Sequence, residues 1–479
     1  MKVLHAAAEL FPHVKVGGLA DVMGALPLAL RKEGIDVRLL LPAYPALLKV
    51  AKVFSVEENF PDLMGSGQAR LLLAEVPGSV TVYLLDAPGF FSREGGPYDD
   101  HGDTHRRFSA LSWATAQFAL RGGSEGIKYD IVHVHDWQTA LTPVFIKCAW
   151  EGHRPKTVLT IHNLAYQGIY SKHILDEIWL PKESFHLQGA EYFDQINFLK
   201  GGLAYADAIT TVSPTYAKEI QEPEGGYTLD GMMRYRSNDL KGIINGIDEL
   251  VWNPTKDKHL RTVFSKKDIK KAKAYNKKVF QNEVGLAESP NSPLFGVVSR
   301  LNDIKGMDLL IANIDHIVSN GAQLVVLGKG DYNLESAFHT ATLRYPGSVA
   351  NYIGYDEGIA HRVMAASDVL LVPSRSEPCG LTQLYAMRYG ALPLARKTGG
   401  LADTIVDITE ESLKDGTATG FLFVEPDSWH LGEAITRALT LYKNEQKTWH
   451  SIQVRAMGQD FSWAKSAQQY VSLYKNLVK

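Results

Sequence analysis

The chain contains 479 residues, of which 45% are hydrophobic and 22% charged, and its formal net charge is −3 at pH 7. This length predicts two domains, the composition is that of an ordinary globular protein, and the charge argues against a nucleic-acid-binding surface. Two cysteines are too few for a disulfide framework or a zinc site, and without a long apolar run or a signal-peptide pattern we expect a cytoplasmic protein with no membrane contact.

The chain opens with a predicted strand, Met1 to Glu9, and a glycine turn that feeds a helix. Two adjacent glycines, Gly17 and Gly18, let backbone N–H groups approach a ligand closely, and Lys15 adds a mobile charge. The same pattern, Lys-x-Gly-Gly-Leu-Ala-Asp, recurs at 397–403. The repeat suggests two halves that each carry a glycine turn at the carboxyl edge of a sheet, or only a shared packing solution.

Later apolar runs of the first half predict buried strands with polar residues at their ends. The run 130–135 ends at Asp136, and the run 156–161 ends at His162 and Asn163. In an open α/β sheet, ligands bind beyond the carboxyl ends of the strands, so these residues are candidates for the site. A lone histidine there is more often structural, and the residues alone leave that alternative open. The other segments predicted here are strands at 37–41, 69–74, 80–85 and 208–212 and a helix at 104–121.

The chain becomes basic soon after Gly246, where we place the domain boundary. The segment 266–278 predicts a lysine-rich helix, whose charges we interpret as a solvated face. A new parallel strand is predicted at 294–299, and Arg300 and Lys305 follow it directly. Surface arginines and lysines are common, but a position at a strand end in an α/β domain favours a role in ligand binding.

The stretch from Val372 to Asp403 has the pattern of strand, loop, helix start, strand and glycine turn. Glu377 lies in the loop after the first strand, and residues 379–382 open the helix. Backbone N–H groups at such a helix start suit a phosphate. A glutamate in this kind of loop is usually a solvated residue or a helix cap, which is the alternative to a role in a site.

One block in this stretch, S-R-x-E-P-C-G-L-T-Q-L-Y-A-M-x-Y-G at 374–390, resembles the E-P-C-G-L block of bacterial and plant glycogen and starch synthases. The blocks T-I-H-N-L-A-Y-Q-G and S-R-L-x-x-x-K-G appear in the order of that family. The resemblance covers nearly the whole chain and implies an α/β fold of the GT-B type, with two Rossmann-like, doubly wound parallel-sheet lobes facing a central cleft. The acceptor lobe is expected at 1–245, joined by a final helix at about 457–479, and the donor lobe at 246–456.

The resemblance also implies which residues act. Arg300 and Lys305 are expected to hold the donor diphosphate, His162 to face the transferred glucose, and Glu377 to lie against the sugar hydroxyls. The expected catalytic residues are Asp136, His162, Arg300, Lys305 and Glu377. The expected substrate-binding residues are Lys15, Gly17, Gly18, Asn163, Asn245, Tyr355, Cys379, Gly380, Leu381 and Thr382, with Tyr355 stacked on the adenine. Gln138 is left out because the matching family block often carries a histidine there.

The implied reaction transfers glucose from ADP-glucose to the non-reducing end of an α-1,4-glucan, with retention of configuration. The chain contains no Asp-x-Asp tripeptide that would hold a metal on a nucleotide sugar, so we expect neither a metal nor a cofactor. Retention could proceed by same-face attack or through a covalent intermediate, and the sequence leaves both open. The alternatives are another GT-B transferase that uses UDP-glucose and a non-catalytic glucan or nucleotide sensor. A phosphorylase would need a pyridoxal phosphate lysine, and none is recognisable.

Overall fold

A computed structural model describes residues 1–149 and 153–479 and divides them into two compact units. The first unit contains Met1–Gly246 and Ser462–Lys479, and the second contains Ile247–Phe461. The boundaries predicted from the sequence, at 245/246 and 456/457, lie within a few residues of these.

Within its described residues, the first unit has a nine-stranded sheet in the order β12-β11-β7-β6-β1-β2-β5-β4-β3. All neighbours are parallel except β3, β4 and β5, which form an antiparallel edge. A small antiparallel sheet has the order β8-β10-β9. The strands are β1 (Lys2–Ala6), β2 (Asp36–Pro42), β3 (Lys52–Phe60), β4 (Ala69–Glu75), β5 (Thr81–Asp86), β6 (Ile131–His135), β7 (Lys156–Ile161), β8 (Ile169–Ser171), β9 (Glu191–Tyr192), β10 (Gln195–Asn197), β11 (Ala208–Thr211) and β12 (Leu240–Gly242).

Helices connect these strands and cover the large sheet. They are α1 (Gly18–Lys32), α2 (Pro45–Leu48), α3 (Pro88–Phe91), α4 (Thr104–Arg121), α5 (Thr142–Lys147), α6 (Phe198–Tyr205), α7 (Pro214–Glu219), α8 (Pro223–Gly226) and α9 (Asp230–Tyr235). The C-terminal helix (Trp463–Leu477) packs beside α1 and buries Tyr470 and Tyr474 in the same apolar layer as Leu26 and Leu30. The central strands are buried on both faces, which explains their nearly continuous apolar sequence.

The second unit has a six-stranded, fully parallel sheet in its described residues, in the order β15-β14-β13-β16-β17-β18. Its strands are β13 (Leu294–Val298), β14 (Gln323–Gly328), β15 (Val349–Ile353), β16 (Val369–Val372), β17 (Leu392–Arg396) and β18 (Phe421–Phe423). Its helices are α10 (Ile269–Glu283), α11 (Met307–Ile311), α12 (Ile314–Ser319), α13 (Tyr332–Arg344), α14 (Glu357–Ala366), α15 (Thr382–Arg388), α16 (Gly399–Thr404), α17 (Glu410–Lys414), α18 (Ser428–Asn444) and α19 (Gln446–Ala456). Strand order reverses direction between β13 and β16, which is the switch point where open α/β sheets bind ligands.

The solvated lysine face predicted for 266–278 is wrong at two positions of α10. Lys273 is 6% exposed, and its ammonium donates to the carbonyl oxygens of Met364, Ala365 and Tyr389 at 3.3, 3.0 and 3.1 Å. Burial lowers its pKa to about 7. Lys277 is also buried. Buried lysines persist where carbonyl or carboxylate oxygens satisfy all their protons, and composition alone does not reveal such partners.

In the part of the chain that the structure describes, we find no helix that combines the length and the apolar character needed to cross a bilayer.

Candidate functional site

The glycine turn before α1 is held by a buried carboxylate. Glu9 follows β1 and is 3% exposed. Its Oε2 accepts hydrogen bonds from the backbone N–H groups of Val16 and Gly17 at 2.8 and 3.1 Å, and its Oε1 accepts one from the hydroxyl of Tyr98 at 2.6 Å. The N–H of Gly17 is therefore already engaged, whereas no partner of the Gly18 N–H is found among the described residues.

Lys15 lies in the same turn, beside the first residues of α1. Its Nζ is 2.9 Å from Oδ1 of Asp21 and 4.9 Å from the centre of the Phe11 ring. The side chains of Lys15 and Asp21 are 26% and 19% exposed, so solvent reaches the ion pair. A cation held this way is positioned but can still exchange its partner for another anion.

Asp136 connects the ends of β6 and β7. Its backbone is left-handed, with φ of 56°, a conformation that is strained for most residues and is tolerated by aspartate. Its N–H donates to the carbonyl oxygen of Thr160 at 2.9 Å, and its Oδ1 accepts from the N–H of His162 at 2.7 Å. Burial of the carboxyl group raises the pKa of Asp136 to about 7, against an opposing effect of the N–H groups of His162 and Asn163. Asp136 thus fixes the backbone at the end of β7.

The imidazole of His162 is held by another histidine. Its Nε2 is 3.0 Å from Nδ1 of His135, and burial lowers the pKa of His162 to about 3. The ring is therefore neutral at physiological pH. Asn163 turns the chain, because its Oδ1 accepts from the N–H of Ala165 at 3.0 Å. Asn245 is 4% exposed, and no partner of its Oδ1 is found in residues 1–149 and 153–479.

In the second unit, Lys305 and Glu377 form a direct ion pair. Nζ of Lys305 is 2.5 Å from Oε2 of Glu377, and the two side chains are 17% and 13% exposed. The same oxygen accepts from the hydroxyl of Ser374 at 2.9 Å. Lys305 follows β13 and Glu377 follows β16, so the pair lies beyond the carboxyl ends of two neighbouring strands at the switch point.

Close packing brings the two loops of this pair together. Gly306 has φ of 69°, and a Cβ there would lie 2.0 Å from the carbonyl oxygen of Pro373. Arg375 donates to both carboxylate oxygens of Asp308 at 2.6 and 2.7 Å, and its N–H donates to the carbonyl oxygen of Ile304 at 2.8 Å. This bidentate pair and the glycine fix the separation of the loops.

The turn that follows Glu377 presents three backbone donors. No partner of the N–H groups of Gly380, Leu381 and Thr382 is found within the described ranges. Gly380 has φ of 66°, and the buried amide of Gln383 donates to the carbonyl oxygens of Cys379 and Gly380 at 3.1 and 2.9 Å. Cys379 is 7% exposed. The carbonyls are thus turned inward and held, which leaves the N–H groups for an anion.

The two glycine pairs of the repeated pattern differ in structure. Gly17 has φ of −149°, and a Cβ there would meet nothing within 4 Å. A Cβ on Gly399 would lie 2.1 Å from the carbonyl oxygen of Glu377, and one on Gly400 would lie 1.9 Å from that of Cys379. The N–H of Gly400 donates to the carbonyl oxygen of Glu377 at 3.1 Å. Gly17 of the first pair therefore faces open space, and the second pair supports the loop of Glu377.

Two of the expected site residues in the second unit are exposed. Arg300 follows β13 and makes no ion pair with a described residue. Tyr355 is 62% exposed and its hydroxyl donates to Glu357. Both are accessible to a ligand.

Sequence reasoning missed several residues that hold the site. They are Glu9, His135, Ser374 and Gln383. The alternation of His133 and His135 in a buried strand is a signal that could have found one of them, because residues two apart share a face of a strand. No comparable sign in the sequence points to Gln383, whose partners are backbone carbonyls.

The arrangement suits a reaction in which negative charge develops on a leaving group. Lys305, Arg300 and the N–H groups of the 380–382 turn could stabilise phosphate oxygens, since charge-assisted hydrogen bonds are worth about 1.5–3 kcal/mol each. Among the described residues, the one group of metal-ligand side chains close enough to share an ion is His5, His133 and His135. It contains no carboxylate.

Comparison with known families matches both units. Residues 2–235 match the family described as starch synthase catalytic domain, and residues 280–451 match glycosyl transferases group 1. A glycogen synthase of Francisella tularensis subsp. novicida is 46% identical over 100% of this chain and 99% of its own length. A glycogen synthase of Paramagnetospirillum magneticum is also 46% identical, over 100% of this chain and 98% of its own.

Solved structures give the same relationship. The catalytic domain of starch synthase IV from Arabidopsis thaliana, bound to ADP and acarbose, is 33% identical and superposes with a TM-score of 0.90, covering 99% of both chains. A sucrose-phosphate synthase from Thermosynechococcus elongatus, 18% identical with a TM-score of 0.61 over 99% of this chain and 98% of that one, shares the fold. The expectation of two parallel-sheet α/β domains of the GT-B type is confirmed.

Proposed function

We propose a reaction for this chain from one premise, which is that it belongs to the glycogen synthase family of glucosyltransferases. The donor that we propose is ADP-glucose, and the acceptor is the non-reducing end of an α-1,4-glucan. A relative that covers 99% of the chain binds ADP and acarbose, a nucleotide and an oligosaccharide, which supports this choice. We also propose that the reaction takes place in the cytoplasm, as expected from the sequence.

The observation that carries the proposal is the ion pair of Lys305 and Glu377. Its member Glu377 is followed three residues later by the 380–382 turn, whose N–H groups have no partner among the described residues. In the reaction, the bond between the anomeric carbon and the diphosphate breaks, and the acceptor 4-hydroxyl oxygen bonds to that carbon. The acceptor proton leaves with the ADP or passes to bulk water. The diphosphate gains charge as the bond breaks, and Lys305, Arg300 and the turn would stabilise that charge.

Glu377 is proposed as a positioning and electrostatic group. Its Oε2 is already bound by Lys305 and by the hydroxyl of Ser374, so this oxygen is held away from an attack on the anomeric carbon. That supports retention by attack on the face that the diphosphate leaves, without a covalent intermediate on this carboxylate. Tyr355, exposed beyond β15, is proposed to stack on the adenine.

The residues of the first unit would serve the sugar and the acceptor side. His162 and Asn163 are proposed to contact the transferred glucose, with Asp136 fixing their backbone. Lys15 and Gly18 are proposed to add a cation and an N–H group to the donor phosphates. Asn245, whose buried Oδ1 has no partner among the described residues, is a further candidate contact.

A transfer assay tests the proposal. Glycogen and radiolabelled ADP-glucose or UDP-glucose are incubated with the protein, and label in the polymer is measured over a range of donor concentrations. We expect a higher kcat/KM for ADP-glucose, and a Glu377→Ala variant should abolish most transfer. A higher kcat/KM for UDP-glucose would overturn the choice of donor. Binding of both ligands without transfer would identify a sensor.

A further inference from the structure

Behind His162, a line of buried side chains is joined end to end by hydrogen bonds. Nε2 of His162 is 3.0 Å from Nδ1 of His135, and Nε2 of His135 is 3.0 Å from Nδ1 of His5. Nε2 of His5 is 3.3 Å from the hydroxyl of Tyr474, which is 2.6 Å from Nδ1 of His133. The line ends at two hydroxyl groups. Nε2 of His133 lies 2.5 Å from the hydroxyl oxygen of Thr160, which in turn lies 2.6 Å from the hydroxyl oxygen of Thr210.

The strand register explains why these side chains meet. His5 in β1 is level with His133 in β6, His135 in β6 is level with Thr160 in β7, and Thr160 is level with Thr210 in β11. Tyr474 enters from the C-terminal helix, which packs on this face. All members except His162 are 0% exposed. We call this set the histidine chain.

The imidazoles of the histidine chain are neutral. Burial lowers the pKa of His5 and of His162 to about 3, and burial and the neighbouring rings hold the pKa values of His133 and His135 well below their usual range. A neutral imidazole has one N–H donor and one acceptor nitrogen, and a hydroxyl has one proton to donate. All hydrogen bonds of the histidine chain can therefore form only when each member donates to the next one in the same direction. Two such directions, which we call polarities, exist.

Thr210 selects between the two polarities. Its side chain is fully buried, and in residues 1–149 and 153–479 its hydroxyl has one hydrogen-bonding neighbour, the hydroxyl of Thr160. A buried O–H without an acceptor is costly, so the proton of Thr210 points to Thr160. Thr160 then donates to Nε2 of His133, and Nδ1–H of His133 donates to Tyr474.

From Tyr474 the same direction continues to His162. The hydroxyl of Tyr474 donates to Nε2 of His5, Nδ1–H of His5 donates to Nε2 of His135, and Nδ1–H of His135 donates to Nε2 of His162. The proton of His162 is then on Nδ1. No partner of that nitrogen is found among the described residues, and His162 is partly exposed.

We propose that the histidine chain fixes His162 as a neutral imidazole with its proton on Nδ1, so that it donates a hydrogen bond to the bound sugar, and that Tyr474 and Thr160 are positioning residues. This deepens the proposed function and rests on it for the identity of the sugar. The geometry also predicts a specific role for the C-terminal helix, since its Tyr474 connects His133 to His5 within the histidine chain.

A metal ion shared by His5, His133 and His135 is the competing interpretation. Each ring nitrogen of these residues already has a hydrogen-bonding neighbour at 2.5–3.3 Å, and an ion would have to break that pattern. The group contains no carboxylate to offset two positive charges in a fully buried place. These observations favour the hydrogen-bonded chain.

The experiment uses the full-length protein labelled with ¹⁵N-histidine, because the imidazole ¹⁵N shifts distinguish the two neutral tautomers. His162→Gln assigns the His162 signals. In the wild type, we expect His162 to be a single Nδ1–H tautomer. Tyr474→Phe and Thr160→Val, which each remove a hydroxyl that bonds directly to His133, should give a mixture of tautomers, whereas Thr160→Ser, which keeps the hydroxyl, should not. Tyr83→Phe is the matched control, because it removes a buried hydroxyl that accepts from Arg38 outside the chain.

Kinetics gives a second readout. Tyr474→Phe and Thr160→Val should lower kcat roughly 3- to 10-fold, the effect of about one hydrogen bond, with the KM of the glucan unchanged. Thr160→Ser and Tyr83→Phe should retain the wild-type kcat.

Several results would overturn the proposal. They are an Nε2–H or mixed tautomer of His162 in the wild type, an unchanged tautomer in both Tyr474→Phe and Thr160→Val, and a stoichiometric metal ion that His133→Gln removes. The tautomer measurement does not depend on glucosyl transfer. A protein that shows the Nδ1–H tautomer but transfers no glucose would refute the proposed function and leave the histidine chain intact.

Discussion

The ammonium nitrogen of Lys305 lies 2.5 Å from Oε2 of Glu377, with both side chains largely withdrawn from solvent. An ion pair of this kind couples two roles. Lys305 can approach a phosphate oxygen only while it shares its charge with Glu377, and Glu377 keeps one oxygen occupied. The ion pair therefore favours a mechanism in which Lys305 stabilises charge on the leaving group over one in which Glu377 attacks the sugar.

Removing the cation should affect the chemical step. We expect Lys305→Ala to lower kcat by roughly 10²–10³, by analogy with the loss of one preorganised donor, and to weaken ADP binding much less. The comparison is made from steady-state kinetics and ADP titration. Lys278→Ala is the control, because Lys278 forms a 2.7 Å ion pair with Glu288 on the exposed face of α10, and it should leave kcat unchanged. Weaker ADP binding with an unchanged kcat would mean that Lys305 only holds the donor.

Transfer should proceed without a divalent metal. The chain contains no Asp-x-Asp tripeptide, and Lys305, Arg300 and the 380–382 turn could supply positive charge and N–H donors to a diphosphate. We expect the rate of transfer to be the same in EDTA as in magnesium. Loss of activity in EDTA that magnesium or manganese restores would refute this prediction.

Gly400 should be intolerant of any side chain. A Cβ there would lie 1.9 Å from the carbonyl oxygen of Cys379, so Gly400→Ala must displace the loop that carries Glu377. We expect a loss of unfolding free energy of about 1–3 kcal/mol and a fall in kcat that can reach 10²-fold. Denaturant unfolding and transfer kinetics measure the two effects.

Two glycines provide controls for that substitution. A Cβ on Gly231, in α9, would lie 4.0 Å from the side chain of Arg234, so Gly231→Ala should preserve both quantities. Gly17→Ala should also preserve stability, because its backbone is extended and its Cβ position is open. Equal stability of Gly400→Ala and the wild type would show that the loop relaxes without cost.

The sequence predicted the elements that have strong local patterns. The helix expected at 104–121 is α4 (Thr104–Arg121), and the apolar runs at 130–135 and 156–161 correspond to β6 (Ile131–His135) and β7 (Lys156–Ile161). Positions such as Asp136 and Lys305 follow from the same rule, because the ends of parallel strands collect at one edge of the sheet.

Partners that are distant in sequence could not be predicted in this way. Lys273 resembles its exposed neighbours in α10, and only the carbonyl groups of α14 and of Tyr389 make it a buried residue. The link between His133 and Tyr474 joins positions 341 residues apart. The glycine repeat suggested a glycine turn in each half or only a shared packing solution, and it did not reveal that Gly17 faces open space while Gly399 and Gly400 support the loop of Glu377.

Asp136 should give the enzyme a pH dependence near neutrality. Burial raises the pKa of its carboxyl group from 3.8 to about 7, and the ionised form is the one that can stabilise positive charge on the sugar. We expect kcat/KM to rise with pH through about 7 and this rise to vanish in Asp136→Asn, which keeps the oxygen that accepts from His162. A rise that persists in Asp136→Asn would assign the ionisation to another group.

The same shift has a consequence for stability with a definite sign. Because the pKa in the folded protein is above the unfolded value, the contribution of this carboxyl group is fully present below about pH 4 and is lost as the pH rises through 7. The unfolding free energy of Asp136→Asn minus that of the wild type should therefore be larger at pH 8 than at pH 5. A difference between the two proteins that is independent of pH would contradict the raised pKa.

Lys15 and Lys305 should act on one diphosphate, although they belong to different units. Each follows the first strand of its unit, and each forms an ion pair with a carboxylate, Asp21 for Lys15 and Glu377 for Lys305. If both cations stabilise the same leaving group, the second substitution acts on a transition state that has already lost part of its stabilisation. The double variant Lys15→Ala/Lys305→Ala should then lose less kcat than the product of the single losses, whereas cations that act independently would give the full product. Steady-state kinetics on the wild type and the three variants closes the cycle. The pair Lys278→Ala/Lys305→Ala should be multiplicative, because Lys278 binds Glu288 at the surface of α10, and a matching shortfall there would mean that the assay itself limits the measured loss.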